Sequence, residues 1–255
     1  MEEYINIDEN NIENEHLCCI IRSKVKHPGV EEKRKWLKER IKEGHIFRKL
    51  NVKGTAFIEY APLETAWVPI TGNNYYYIYC LWVTGPLKGK GYGKKLIEYV
   101  IKDAKDNNKS GICLLGSNKQ KAWLTDQSFA KKYGFEVVDK TNNGYELLAL
   151  SFDGTKPKIN DNAKIEKISN KELTIYYDMQ CPYIIERIKI LKEYCDEANI
   201  PIIFNKVDSL EKAKKLPCVF NNWCVFYNGN FETVNLIDAG YINRVIKRNK
   251  GENND

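Results

Sequence analysis

A run of alternating glycines between a strand and a helix constrains this chain more than any other feature. Lys88-Gly89-Lys90-Gly91-Tyr92-Gly93-Lys94 follows Tyr75 to Val83 (YYYIYCLWV), a nearly all-apolar stretch that reads as a strand buried on both faces. It precedes a segment whose apolar residues Leu96, Ile97, Val100, Ile101 and Ala104 recur at helical spacing up to Asp106. Glycines let the backbone turn tightly and bring its N–H groups close to a ligand. The helix start adds unpaired N–H groups and the positive end of its dipole, so strand, loop and helix together predict a pyrophosphate site. The spacing is not G-x-x-x-x-G-K-[ST], which argues against a P-loop ATPase, and GxGxG in place of GxGxxG weakens a dinucleotide reading.

The remaining chain reads as α/β. A short strand near Tyr4 to Ile7, a helix over Asn10 to Arg22 and a second helix over Val30 to Lys42 precede strands at His45 to Leu50 and Thr55 to Tyr60. After the glycine loop and its helix come a strand at Gly111 to Leu115, a helix at Asp126 to Lys132 and strands at Phe135 to Val138 and Tyr145 to Phe152. Residues 153–171 break the composition with Asp, Gly, Lys, Pro and Asn, and are expected to link a first domain (1–152) to a second (172–249). The second reads as strand, helix after Cys181-Pro182, strand at Pro201 to Val207, a short helix capped by Ser209, a hairpin across Asn228-Gly229 and a last helix from Ala239.

Composition narrows the function classes. A net charge of +6, with lysines mixed among glutamates, fits a solvated surface and a polyanionic cofactor better than a nucleic-acid stripe. No run of 18 uncharged apolar residues occurs, and Met1 to Asn10 holds four acidic residues, so neither a membrane span nor a secretion signal is expected and a cytoplasmic location is. The eight cysteines form no CxxC pair and make no metal spacing with the three histidines, so no metal is expected and reduced thiols are.

The loop sequence then becomes specific. Val83 to Leu96 (VTGPLKGKGYGKKL) resembles motif A of the GNAT acyltransferases, with Lys88 at a position the family fills with Gln or Arg and Gly91 and Gly93 at the small ones. Lys131 to Phe135 (KKYGF) resembles the end of that family's motif B. The resemblance implies a GNAT fold, a mixed central sheet flanked by helices, with acetyl-CoA as cosubstrate and a primary amine of a small molecule or peptide as acceptor. It implies that Trp82, Val83, Lys88, Gly89, Lys90, Gly91, Tyr92, Gly93 and Lys94 bind the cofactor, Val83 closing a strand whose backbone polarises the thioester. Catalytic candidates are Glu59, as a base acting through water, and Tyr79, with Tyr77 beside it. The family's usual acid, a tyrosine four residues before the motif B glycine, is Ala130 here, and Tyr133 reads as a packing residue, so the acid is unassigned. His16 is a candidate for the acceptor wall or a buried, hydrogen-bonded histidine.

The second half resembles a small thioredoxin-like domain, and its combination with the first resembles YoaP-type acetyltransferases, through Cys181-Pro182 and the PheTyrAsnGlyAsnPhe hairpin (226–231). A cysteine at a helix start is expected to have its thiolate favoured. The second cysteine position holds Ile184, which removes dithiol cycling. Two other readings stay open at this level: a non-catalytic CoA-binding or interaction protein, and a thiol-dependent enzyme acting through Cys181. The acceptor and the oligomeric state are not legible.

Overall fold

The computed structural model describes residues 3–20 and 27–251. In chain order the first half holds β1 (Tyr4–Asn6), α1 (Pro28–Lys42), β2 (Ile46–Leu50), β3 (Ala56–Pro62), β4 (Ile70–Thr71) and β5 (Tyr75–Val83). It continues with α2 (Tyr92–Asp106), β6 (Gly111–Ser117), α3 (Gln127–Lys131), β7 (Glu136–Lys140) and β8 (Tyr145–Ser151). The second half holds β9 (Lys158–Ile159), β10 (Leu173–Tyr177), α4 (Tyr183–Glu197), β11 (Ile202–Lys206) and α5 (Leu210–Lys214), then β12 (Trp223–Tyr227), β13 (Asn230–Thr233) and α6 (Ala239–Gly251).

Seven strands form one sheet in the order β1-β2-β3-β5-β6-β8-β7, antiparallel except for the central β5–β6 pair. One face receives α2, whose Leu96, Ile97, Val100 and Ala104 are buried against Ile58, Ile78 and Ile112. This is the mixed central sheet with flanking helices that the loop sequence implied. A second sheet runs β11-β10-β12-β13, with β10 and β11 parallel and the other pairs antiparallel.

The two sheets are not separate beads. Tyr145 and Leu147 of the large sheet share one buried cluster with Val219, Phe226 and Phe231 of the second half. The Lys214 ammonium reaches across to the carbonyls of Leu63 and Ile70 at 2.9 and 2.8 Å. Residues 153–171, expected as a linker, are fastened along this seam: β9 pairs with β4, Ile159 and Ala163 are fully buried, and Asn162 donates to the Leu216 carbonyl at 2.7 Å. At the other end, α1 meets α4. A Cβ on Gly29 would lie 1.7 Å from the Pro182 carbonyl oxygen, so only glycine permits that approach.

One expected element does not form. Residues 10–20 fold as turns and bends instead of a helix, although Ile12 and Leu17 are fully buried as the apolar spacing required. The Asp8 carboxylate accepts from the N–H groups of Asn10 and Asn11 and the Asn11 side chain accepts from Asp8 N, the reciprocal pattern of a helix cap, and Ile12 N donates to the Asp8 carbonyl, so a first turn starts there but does not propagate. Arg22, the end of that expected helix, lies outside the described residues. Among the described residues no helix is long and apolar enough to cross a membrane, and no group of three or more His, Cys, Asp or Glu is placed to hold a metal ion.

Candidate active site

Strands β5 and β6 pair only from Tyr75–Gly111 to Ile78–Leu114 and then part. On its other side β5 stays paired with β3 as far as Val83, through a bulge that inserts Tyr79 between Ile78 and Cys80. Residues Tyr79 to Val83 therefore turn one edge toward a gap in the sheet, where an extended ligand can add main-chain hydrogen bonds. Bulges of this kind bend a strand and re-aim its side chains.

At the end of that edge lie a single 3-10 turn (Gly85–Leu87) and then the glycine loop. Gly89 and Gly91 have φ of +80° and +81°, which glycine alone adopts without strain, and a Cβ on either would stand in open space with nothing within 4 Å. Gly91 caps α2 with no side-chain hydrogen bond and no acidic residue in the first turn. The loop thus leaves clear both the space in front of it and the helix-start amides, the form an anionic phosphate ligand fits. Lys88, Lys90 and Lys94 are exposed around it, whereas Tyr92 is buried beside Leu50 and Ala56 and contributes packing.

The same strand lines a cavity of about 330 Å³. Phe57 and Glu59 of β3 and Tyr79, Cys80 and Trp82 of β5 form its large-sheet side. Gln180, Cys181, Pro182, Asn221 and Asn222 close it from the second half, and Cys18, Cys19, Lys33, Ala122 and Trp123 complete the wall. Trp82 and Trp123 are 43% and 44% exposed, and Tyr183 stands edge-on to Trp123 at 5.7 Å between ring centres. A larger, shallower groove of about 750 Å³ along β11 and α5 shares no residue with the loop or with β5.

Glu59 is wholly buried, and its carboxylate is fully engaged. Lys33 Nζ donates to Oε1 at 3.0 Å and to Oε2 at 2.8 Å, His45 Nε2 donates to Oε1 at 3.0 Å, and Gln180 Nε2 donates to Oε2 at 2.7 Å. Burial pushes this carboxyl up, but Lys33 and His45 outweigh it and hold Glu59 below the usual carboxylate range. Burial keeps His45 neutral. The third Lys33 hydrogen bond goes to the Gln180 carbonyl at 2.8 Å, so the ion pair also ties α1 and β3 to the second half. Asp178, two residues earlier, accepts from Gln180 N with Oδ1 and leaves Oδ2 without a partner, and burial lifts its carboxyl to about 7.

Tyr79 is buried, its hydroxyl accepts from Trp67 N at 2.7 Å, and burial pushes its ionisation far above the ordinary range. Tyr77 donates to Asn221 Oδ1 at 3.2 Å. Ala130 sits inside the α2 cluster and Tyr133 packs against Phe129, which leaves the acid role without a candidate there. His16 belongs to neither the loop nor this cavity, and burial, first, then the Lys49 charge lower its pKa. The expected thiolate at Cys181 does not hold. Although part of its surface reaches the cavity, burial pushes the thiol up to about 12, outweighing the Tyr183 backbone N–H that would lower it.

Lys33, His45, Gln180 and Trp123 were not singled out from sequence. His45 lies just before the strand that pairs with β3, so the hairpin between them was the signal that could have found it, whereas Lys33, Gln180 and Trp123 lie farther along the chain from Glu59 or Trp82 and only the fold brings them together.

Two family models match the chain: "Acetyltransferase (GNAT) family" over residues 12–135 and "YoaP-like" over residues 201–244. The chain is 34% identical over 245 residues to an uncharacterized N-acetyltransferase, YoaP, of Bacillus subtilis (strain 168), covering 95% of this chain and 98% of that protein. Similar solved structures include a GNAT family acetyltransferase from Brucella melitensis in complex with acetyl-CoA, at 14% identity and a TM-score of 0.42, over 63% of this chain and 94% of that one. Another is the PaiA N-acetyltransferase of Thermoplasma acidophilum in complex with coenzyme A, at 15% identity and a TM-score of 0.42, over 60% and 99%.

Proposed function

This chain belongs to the GNAT N-acetyltransferase family, in its YoaP branch, and from that premise we propose that it transfers the acetyl group of acetyl-CoA to a primary amine held in the cavity beside Trp82. The observation that carries the reading is continuity: the free edge of Tyr79 to Val83 leads from the wall of the cavity, which Tyr79, Cys80 and Trp82 line, into the phosphate-type loop. In this reading the amides between Gly89 and Lys94 hold the pyrophosphate, with Lys88, Lys90 and Lys94 adding positive charge. Trp82 lines the cavity and Val83 follows it toward the loop, so the backbone at this point of the edge polarises the thioester carbonyl as the amine attacks it.

Glu59 serves in this reading as an anchor. A carboxylate that accepts four hydrogen bonds from three side chains and has a lowered pKa is a poor proton acceptor, and Tyr79 keeps its proton far above neutral pH. The amine then enters uncharged, and the rate rises with pH toward the amine's own pKa. We read residues 173–251 as a thioredoxin-like unit, on the βαβ then ββα order of their elements. Ile184 at the second cysteine position is a fully buried core residue, and the protonated Cys181 acts as wall. The unit's task here is to close the acceptor cavity.

The test is thiol release from acetyl-CoA on addition of amine, for the wild type and Gly91→Val. Amine-dependent release that disappears in the variant is the expected outcome. Release that persists in the variant removes the loop from the site, and no release with any amine rejects acetyl transfer.

A further inference from the structure

The cavity has an unusual charge balance. Among the described residues its wall holds two charged side chains, Glu59 and Lys33, and each is already saturated by the other and by Gln180 and His45. Among the described residues the wall offers no free carboxylate or ammonium to pair with a charge on a bound molecule. The four cysteines are neutral thiols: burial pushes Cys18 up to about 11 and Cys181 to about 12, and raises Cys19 and Cys80 as well. The rest is Phe57, the Tyr79 ring, Ala122, Pro182 and the two half-exposed tryptophans. The side-chain amides with hydrogen-bonding capacity to spare come from the second half. Asn221 accepts from Tyr77 and Asn222 donates to Gln180 Oε1, which leaves Asn221 Nδ2 and Asn222 Oδ1 unpartnered among the described residues.

We infer that the acceptor is a small amine with an apolar, aromatic body and no second charge, an aralkylamine in chemical class. The inference rests on the acetyl-transfer reading of this same site. An aromatic ring finds Trp82, Trp123 and a sulfur-rich wall, which suit it by stacking and by S–aromatic contact. A volume of about 330 Å³ is at the small end of ligand pockets. A polyamine or an amino acid brings a second ammonium or a carboxylate that must be desolvated with no partner, and such a group is rejected strongly.

The experiment compares phenethylamine, spermidine and alanine on the full chain with two readouts. Acetyl-CoA thiol release gives kcat/KM for each, and quenching of tryptophan fluorescence gives binding without acetyl-CoA. Phenethylamine is expected to exceed both others by at least about 100-fold in kcat/KM and to quench most strongly. Trp123→Ala, at a half-exposed side chain and with folding checked by circular dichroism, is expected to raise the phenethylamine KM about tenfold. Spermidine or alanine equal to or better than phenethylamine overturns the inference while acetyl transfer stands. Selective quenching by phenethylamine with no thiol release from any amine keeps the cavity chemistry and rejects the transfer reading. Neither release nor quenching with phenethylamine rejects the inference.

Discussion

The glycine loop and the acceptor cavity share one strand edge, the cavity along it and the loop just beyond its end, and are built in opposite ways. The loop is seven consecutive residues, 88–94, working through backbone amides in exposed, open space. The cavity is assembled from side chains as distant in sequence as Cys18, Glu59, Trp123 and Cys181, and its central charges are wholly buried. A backbone site tolerates side-chain change but not a Cβ at the wrong φ. A side-chain site tolerates neither the loss of one partner nor the arrival of an unpaired charge. The two should therefore fail in different ways.

The largest effect is expected in the cavity. Lys33→Met leaves the Glu59 carboxylate buried without its main counter-charge, which should cost about 3–5 kcal/mol of stability by urea denaturation. Lys33→Met combined with Glu59→Leu removes both charges and should recover most of that loss. A single variant as stable as the wild type would mean the pair holds nothing together.

Asp178→Asn should do the reverse. The native carboxyl, lifted to about 7 and faced by Lys33, Glu59 and Arg40, keeps a proton that the unfolded chain releases near pH 4. Stability therefore falls as pH rises from about 4 to 7, and the loss is complete above that. Asparagine keeps the acceptor for Gln180 N and removes the ionisation. The variant should gain up to about 4 kcal/mol at pH 8 and nothing at pH 4. Equal stability of the two proteins across that range would show that Asp178 is solvated.

In the loop, Gly91→Val puts a β-branched residue at φ +81°, which strains the loop locally but touches no buried contact, and should abolish the stabilisation by acetyl-CoA, about 2.7 kcal/mol at 100 times the dissociation constant. A thermal-shift titration reads it, and an undiminished shift would separate the loop from the cofactor. The smallest effect is Cys181→Ser: a protonated wall thiol does no chemistry, so acetyl transfer should stay within about twofold. Loss of transfer with intact cofactor binding would make Cys181 a functional thiol.

The same contrast explains what was legible in the sequence. β5, α2 and the Asn228-Gly229 hairpin announce themselves through local pattern, and the structure has all three where the pattern puts them. The glycine loop is legible for the same reason. The helix expected at 10–22 starts as a single turn capped by Asp8 and Asn11 and goes no further over 10–20, although Ile12 and Leu17 are buried as its apolar spacing required. Glu59 could be picked out as a carboxylate on a strand. That Lys33, 26 residues earlier, and Gln180, 121 residues later, consume it depends on tertiary packing, and so does the desolvation that protonates Cys181 and Asp178.

The central claim is that the acceptor occupies the cavity closed by the second half while the cofactor is held elsewhere on the same strand. Cys181→Trp tests it most directly, because the indole projects into the cavity and touches nothing in residues 88–94. With folding checked by circular dichroism, acetyl-CoA affinity measured by calorimetry should stay within about twofold, while amine kcat/KM falls by about 100-fold or more. Undiminished turnover in the filled cavity, or a parallel loss of acetyl-CoA affinity, would contradict the account.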